Sequence, residues 1–228
     1  TQGVSSAASD VYKRQALSTP HNGGTIIFPD GQYRVSAPLH INGSGITLQG
    51  GNANSTRFVT TNNTANIIEI GANSSVNEGI RIMGLGFAAV EPQTAGTAIY
   101  IHNAVNLLIQ NIRVLDNIYN GIDIEGRTGA TFGVHISHFD LKLIRNIGIV
   151  IGADVGATDV FLQDGSIRPG AMQSRAAIQI IQGYGVYAQN IDITNFDKFY
   201  FKHGIDISPN SGQQSNAIMF NQVLSDSS

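Results

Sequence analysis

Leu107-Leu108-Ile109-Gln110-Asn111-Ile112-Arg113-Val114 returns as Val134-His135-Ile136-Ser137-His138-Phe139-Asp140-Leu141, and again as Val186-Tyr187-Ala188-Gln189-Asn190-Ile191-Asp192-Ile193. Members of this track start at Ile80, Leu107, Val134, Val160 and Val186, in steps of 27, 27, 26 and 26. The position that splits each member into two apolar-alternating halves reads Gly84, Asn111, His138, Asp164 and Asn190. These are mostly the residue types that tolerate positive φ, so the spacing predicts a sharp corner once per repeat. Alternation with period two, rich in Ile and Val, predicts strands on both sides of that corner.

A second, shorter pattern runs in parallel. Leu39-His40-Ile41, Ile68-Glu69-Ile70, Ile99-Tyr100-Ile101, Ile122-Asp123-Ile124, Ile149-Val150-Ile151, Ile178-Gln179-Ile180 and Ile205-Asp206-Ile207 follow one another at 29, 31, 23, 27, 29 and 27 residues. A period between about 20 and 50 residues signals a solenoid. Three short strands in ~27 residues make one turn of a parallel β-helix, whose successive turns stack about 4.8 Å apart. The fold expected is therefore all-β: a right-handed single-stranded parallel β-helix of about seven turns. A β-sandwich of short strands also alternates, but it demands no residue-level period. Leucine-rich repeats need a Leu spacing and a helical segment that are missing here.

Composition agrees. Of 228 residues only 13% are charged and 26 are Gly, while 42% are hydrophobic. This disfavours long helices, coiled coils and charge-rich disorder and leaves enough apolar material for a sizeable core. Net charge is −3 with no Lys/Arg-rich run, which speaks against nucleic acid as a partner. With no Cys, disulfides, thiolate metal sites and Cys nucleophiles are excluded, and the redox compartment stays open. No apolar run reaches the ~20 residues of a membrane span.

The stretch Gly23-Gly24-Thr25-Ile26-Ile27-Phe28-Pro29-Asp30-Gly31-Gln32-Tyr33-Arg34-Val35, followed by Pro38-Leu39 and Ser44-Gly45-Ile46-Thr47-Leu48-Gln49-Gly50, resembles the first-turn signature of the pectate lyase superfamily. The likeness is to its rhamnogalacturonase/epimerase-like and phage tailspike branches. With the repeat, it extends from about Gly23 to the C-terminus, and it is far more specific for fold than for activity. The resemblance implies a polysaccharide partner, action as a glycoside hydrolase or polysaccharide lyase, a homotrimer in tailspike-like members, and an extracellular, cell-surface or virion-associated location. It also implies an N-terminal capping helix, of which only 16–19 would remain. Ile118-Tyr119-Asn120-Gly121-Ile122-Asp123 is the nearest equivalent of the polygalacturonase motif, with Asn120 where that branch has Asp and no later Asp-Asp or Gly-His-Gly. These departures argue against a standard polygalacturonase.

Asp10-Val11-Tyr12-Lys13-Arg14-Gln15 resembles the translated end of a transposon used to fragment DNA for metagenomic sequencing. The expectation is a non-native segment over 1–15 and a β-helix over 16–228, truncated at its C-terminus after a strand over 217–224.

When the Ile residues of the short pattern face inward, the residue between them faces outward. The outward row then reads His40, Glu69, Tyr100, Asp123, Val150, Gln179, Asp206, with His102 and Glu125 two positions further along. Five chemistry-bearing side chains fall on three consecutive rungs. Asp123 and Glu125 are about 6.5 to 7 Å apart along one strand, and Glu69 lies two rungs, roughly 9 to 10 Å, from Asp123. Glycoside hydrolysis needs two carboxyl groups about 5 to 9.5 Å apart. Glu69, Asp123 and Glu125 are thus the candidate acid, base or nucleophile, and Tyr100, His102, Tyr119, Asn120 and Gln179 the candidate substrate contacts. Against this stands the plainer reading, that these outward polar residues are merely the solvated side of the sheet. No cofactor is implied for hydrolysis; a lyase would call for Ca²⁺ and for a base such as Lys142 or Arg145, expected in the loop entering the next rung. The aromatic stretch 195–203 is a candidate sugar-stacking loop, with Phe196 and Phe199 expected to fold back over the sheet. The outward ladder Arg81, Leu108, His135, Phe161, Tyr187 is a candidate subunit face.

Overall fold

The computed structural model describes residues 23–71, 76–126, 131–153, 155–195, 198–212 and 214–227. The expected non-native segment and capping remnant lie outside these residues. Every pairing between strands is parallel and joins one turn to the next. Two sheets result: a first sheet of 12 strands that bends at a corner, and a second sheet of seven strands. The seven strands of the second sheet bound six intervals, so the solenoid closes about six full turns. This is the parallel β-helix expected from the repeat. No helix among the described residues is long and apolar enough to cross a membrane.

The second sheet stacks the short pattern in register: Ile68 pairs Ile99, Ile99 pairs Ile122, Ile122 pairs Ile149 and Ile149 pairs Ile178. These residues are 0% exposed. Each buried Ile contributes about 1.5–3 kcal/mol, and the same column recurs in every turn, so the core is one continuous file rather than a cluster around a centre. The first-turn signature folds as Gly24–Phe28 and Gly31–Val35, paired with Ile46–Gly50 and Thr56–Thr60. Its Phe28 starts a file of buried rings, 4.9 Å from Phe58, which lies 6.0 Å from Phe87. Tyr33 edges onto Phe28 and donates its hydroxyl to the Pro29 carbonyl. Burial, helped by the Asp30 carboxylate, raises the pKa of that phenol.

The predicted corner is present as a column of left-handed residues: Gly84, Asn111, His138, Asp164 and Asn190 have φ of 66, 52, 52, 53 and 54°. Gln222 extends it at 52°. The long strands Ala104–Asp116, Phe132–Ile144, Ala157–Pro169 and Gly183–Asn195 run through the corner and hold both of the halves read from sequence. A second left-handed column stands one residue before each start of the long track: Gly79, Asn106, Gly133, Asp159 and Gly185, with φ from 53 to 70°.

The file just past the corner reads Ile112, Phe139, Gly165, Ile191 and Val223, with one glycine beside its largest side chain. Phe139 pairs with Gly165 on the next rung, and a methyl group added to Gly165 would run into the Phe139 ring. Gly165→Ala is therefore expected to lower stability by about 1–3 kcal/mol through overpacking, and Phe139→Leu in the same chain to recover part of it. A double-mutant cycle in denaturant checks this; purely additive losses would show that the two positions do not share the space.

Candidate functional site

The outward row is in register across all seven strands of the second sheet. His40 pairs Glu69, Glu69 pairs Tyr100, Tyr100 pairs Asp123, Asp123 pairs Val150, Val150 pairs Gln179 and Gln179 pairs Asp206. The spacing argument thus places Glu69, Tyr100 and Asp123 on neighbouring rungs. Glu125 follows strand Asn120–Ile124, its backbone N–H held by the Ile101 carbonyl at 2.8 Å and its carbonyl by the Thr131 hydroxyl at 2.6 Å.

The side chains are coupled across rungs. The Tyr100 hydroxyl donates to Glu125 Oε2 at 2.7 Å, and the Tyr100 ring stands edge-on to His102, with centroids 3.8 Å apart. His40 Nδ1 lies 3.0 Å from Glu69 Oε2, and Asn66 Nδ2 donates to Glu69 Oε1 at 2.8 Å. Tyr100 therefore orients a carboxylate and packs on an imidazole.

Exposure corrects the sequence reading most. Outward residues were expected in solvent, yet His102 and Glu125 are 3% exposed, Asp123 9% and Gln179 1%. Next to Asp123 in the row, Val150 joins Ile147 and Ala176 in a second buried apolar cluster, separate from the solenoid interior. This cluster divides the row: the acids, Tyr100 and His102 lie on one side, and Gln179, whose amide donates to Asp206 at 2.9 Å, on the other. Asn120 starts its strand, and its side-chain oxygen accepts from Asn146 Nδ2 and the Ile147 N–H, a turn-holding role. Tyr119 is half-buried, its N–H bonded to Gln93 Oε1. The structure thus gathers Glu69, Tyr100, His102, Asp123 and Glu125 and leaves Gln179 apart from them.

Of the candidate lyase bases, Lys142 lies elsewhere than expected, while Arg145 sits in the short connection between Phe132–Ile144 and Ile147–Ile151, as expected. Lys142 belongs to strand Phe132–Ile144 of the first sheet, not to a loop, with Nζ 3.2 Å from Asp140 Oδ2. Arg145 follows that strand and donates Nε to the Gln93 carbonyl. Among the described residues no three His, Asp or Glu come together as a metal site. Of the aromatic stretch, Phe196 lies outside the described residues; Phe199 and Tyr200 are 41% and 40% exposed, and Phe201 joins the core. Phe199 does not fold back as expected. On the first sheet the second outward ladder forms a stack: His135 on Phe161 at 4.4 Å and Phe161 on Tyr187 at 5.0 Å, with interplanar angles of 8 and 11°.

Sequence reading missed a polar cleft of about 490 Å³ at the corner of the first sheet, walled by residues 51–54 and by Gln49, Asn111, Arg113, His138 and Asp140. The signal available was the row Arg57, Gly86, Arg113, Asp140, Ser166, in which a glycine interrupts the charged residues.

No protein-family model matches the chain, and no curated protein matches it. Among solved structures it is similar to ORF18 of Geobacillus virus E2, with 12% identity over 95% of this chain and 58% of that one and a TM-score of 0.38. The chain thus spans less than two thirds of that protein. It is also similar to the A-modules of two Azotobacter vinelandii mannuronan C-5 epimerases. For AlgE6 the identity is 15% over 95% of this chain and 75% of that one, at a TM-score of 0.36. For AlgE4 it is 12% over 97% and 95%, at a TM-score of 0.20. Likenesses this distant assign no residue a role.

Tyr100→Phe removes the donor to a buried carboxylate, and a hydrogen bond to a charged group is worth about 1.5–3 kcal/mol. The variant is expected to lose stability in that range in denaturant at neutral pH; an unchanged midpoint would mean that the Tyr100–Glu125 bond is idle.

Proposed function

We propose that this chain binds a polysaccharide along the outward row of the second sheet and cleaves it by hydrolysis, Asp123 and Glu125 being the working carboxyl groups. One observation carries the reading: two carboxyl groups on one outward face are held away from water, with a phenol aimed at one of them. A solvated sheet face leaves its acids in water. Burying charged groups is costly unless they are paired, and acids kept in such a setting cluster at functional sites.

Roles follow from the donors. Glu125 accepts the Tyr100 hydroxyl, so Glu125 Oε2 is presented as an acceptor, the form in which a base or nucleophile works. Asp123, two residues before it on the same outward face, is the acid that protonates the leaving glycosidic oxygen. Their backbones stand about 6.5 to 7 Å apart, from which side-chain reach allows the carboxyl separations that glycoside hydrolysis needs. Glu69, oriented by His40 and Asn66, borders the site one rung before Tyr100 and fits a contact to sugar hydroxyls. A lyase route is less well supported, because Lys142 and Arg145 are engaged away from the row; Ca²⁺ would enter only on that route. The proposed setting is extracellular, at the cell surface or on a virion.

A second reading, a non-catalytic shaft of a surface fibre, is favoured by the His135–Phe161–Tyr187 stack, a regular apolar strip suited to a neighbouring subunit in a homotrimer. Sedimentation of Phe161→Ser against the unaltered chain examines this face: loss of a trimer supports it, and a monomer in both removes it.

For the catalytic reading, incubation with a panel of neutral and acidic polysaccharides is expected to release new reducing ends without ultraviolet-absorbing unsaturated uronates. Asp123→Asn and Glu125→Gln are each expected to lower the rate by about 10²–10⁴-fold with folding retained. Unsaturated products would overturn hydrolysis in favour of a lyase, and binding without any product would overturn catalysis.

A further inference from the structure

The corner cleft has the chemistry of a second ligand site. Its volume of about 490 Å³ lies inside the range of ligand pockets, about 300–1,000 Å³. The wall over 51–54 is fixed before any ligand arrives. Asn52 Oδ1 accepts the Asn54 N–H at 2.8 Å, Arg57 Nε donates to the Asn54 carbonyl, and Arg113 donates to Asn54 Oδ1. Gly86 makes this close approach feasible, since a side chain there would collide with the Ala53 carbonyl.

Arg113 shares its counter-ion at the cleft. Asp140 accepts the Ser166 hydroxyl at 2.8 Å and faces both Arg113 Nε at 3.1 Å and Lys142 Nζ at 3.2 Å. One carboxylate thus serves two cations, Arg113 in the cleft wall and Lys142 beside it, so the Arg113 guanidinium shares its counter-charge. The corner ladder also breaks off here. Asn190 donates to Asp164 at 2.7 Å, whereas the Asn111 side chain, exposed in the cleft, makes no hydrogen bond among the described residues.

We propose that the cleft binds one acidic sugar unit, its carboxylate on the Arg113 guanidinium and its hydroxyls on the amides of Gln49, Asn52 and Asn111. The planar fork of Arg matches a carboxylate in two-point contact. The wall also presents acceptors, Asp140 and the amide oxygens, which a compact, acceptor-rich anion such as phosphate would meet unfavourably. A sugar acid supplies both the negative group and the donating hydroxyls. The site stands on this cleft alone and does not require the row of the second sheet to cleave anything.

Titration of the ¹⁵N-labelled chain with trimers of galacturonate, glucuronate, mannuronate and guluronate, with a neutral galactose trimer, and with inorganic phosphate tests the proposal. At least one uronate trimer is expected to give saturable shifts at Asn52, Asn54 and Asn111, weakening as salt rises. Affinity is expected to fall about tenfold or more in Arg113→Gln and also in Asn111→Gly, which keeps the left-handed corner. Shifts confined to the Tyr100–Glu125 region, equal binding of the galactose trimer or of phosphate, or no saturable shift with any uronate would each overturn it.

Discussion

The interaction on which everything else depends is parallel pairing of each turn with the next, residue for residue. A strand alternates its faces, so one residue gained or lost between two corners would turn a whole leg inside out. The chain meets this constraint by fixing its corners with single left-handed residues. Between corners the Ile pairs such as Ile99 and Ile101 hold the interior file, and insertions are confined to loops such as 51–54. The steps of 23 to 31 residues in the short track are thereby absorbed without disturbing the register of the second sheet, while the first sheet shifts register between Val114 and Asp116 and between Leu141 and Ile144.

Stacking in register has a chemical consequence. Whatever occupies the outward position on one rung comes within about 4.8 Å of its counterpart on the next, so Glu69, Tyr100 and Asp123 become neighbours although 54 residues separate the first from the last. The same geometry places His135, Phe161 and Tyr187 in a stack and Arg113, Asp140 and Ser166 in a polar file. Each face of the solenoid thus carries its own chemistry: coupled acids on the second sheet, aromatic stacking on one leg of the first, an ionic corner between its legs.

The fold was legible because its cause is periodic. Gly84, Asn111, His138, Asp164 and Asn190 announce a corner through residue type and spacing alone. The second left-handed column was equally visible in principle, since Gly79, Asn106, Gly133, Asp159 and Gly185 each stand one residue before a member of the long track. Membership of the acidic row was legible for the same periodic reason. Burial was not: alternation tells which way Asp123 and Gln179 point from the barrel, while what packs over the outer face is set by loops without a period. The Tyr100–Glu125 bond likewise crosses from one rung to the next and two residues along the chain, a diagonal that a row-by-row reading does not contain. The corner cleft depends on the path of 51–54, which no repeat specifies.

The central claim is that the coupled acids form the floor on which a glycan is bound and cut. The most direct measurement is a crystal structure of the Glu125→Gln chain with a bound oligosaccharide. The account predicts a sugar lying across the Glu69, Tyr100 and Asp123 rungs, with a glycosidic oxygen within hydrogen-bond reach of Asp123. A glycan seated elsewhere, with the row untouched and its carboxyl groups still covered, would contradict it.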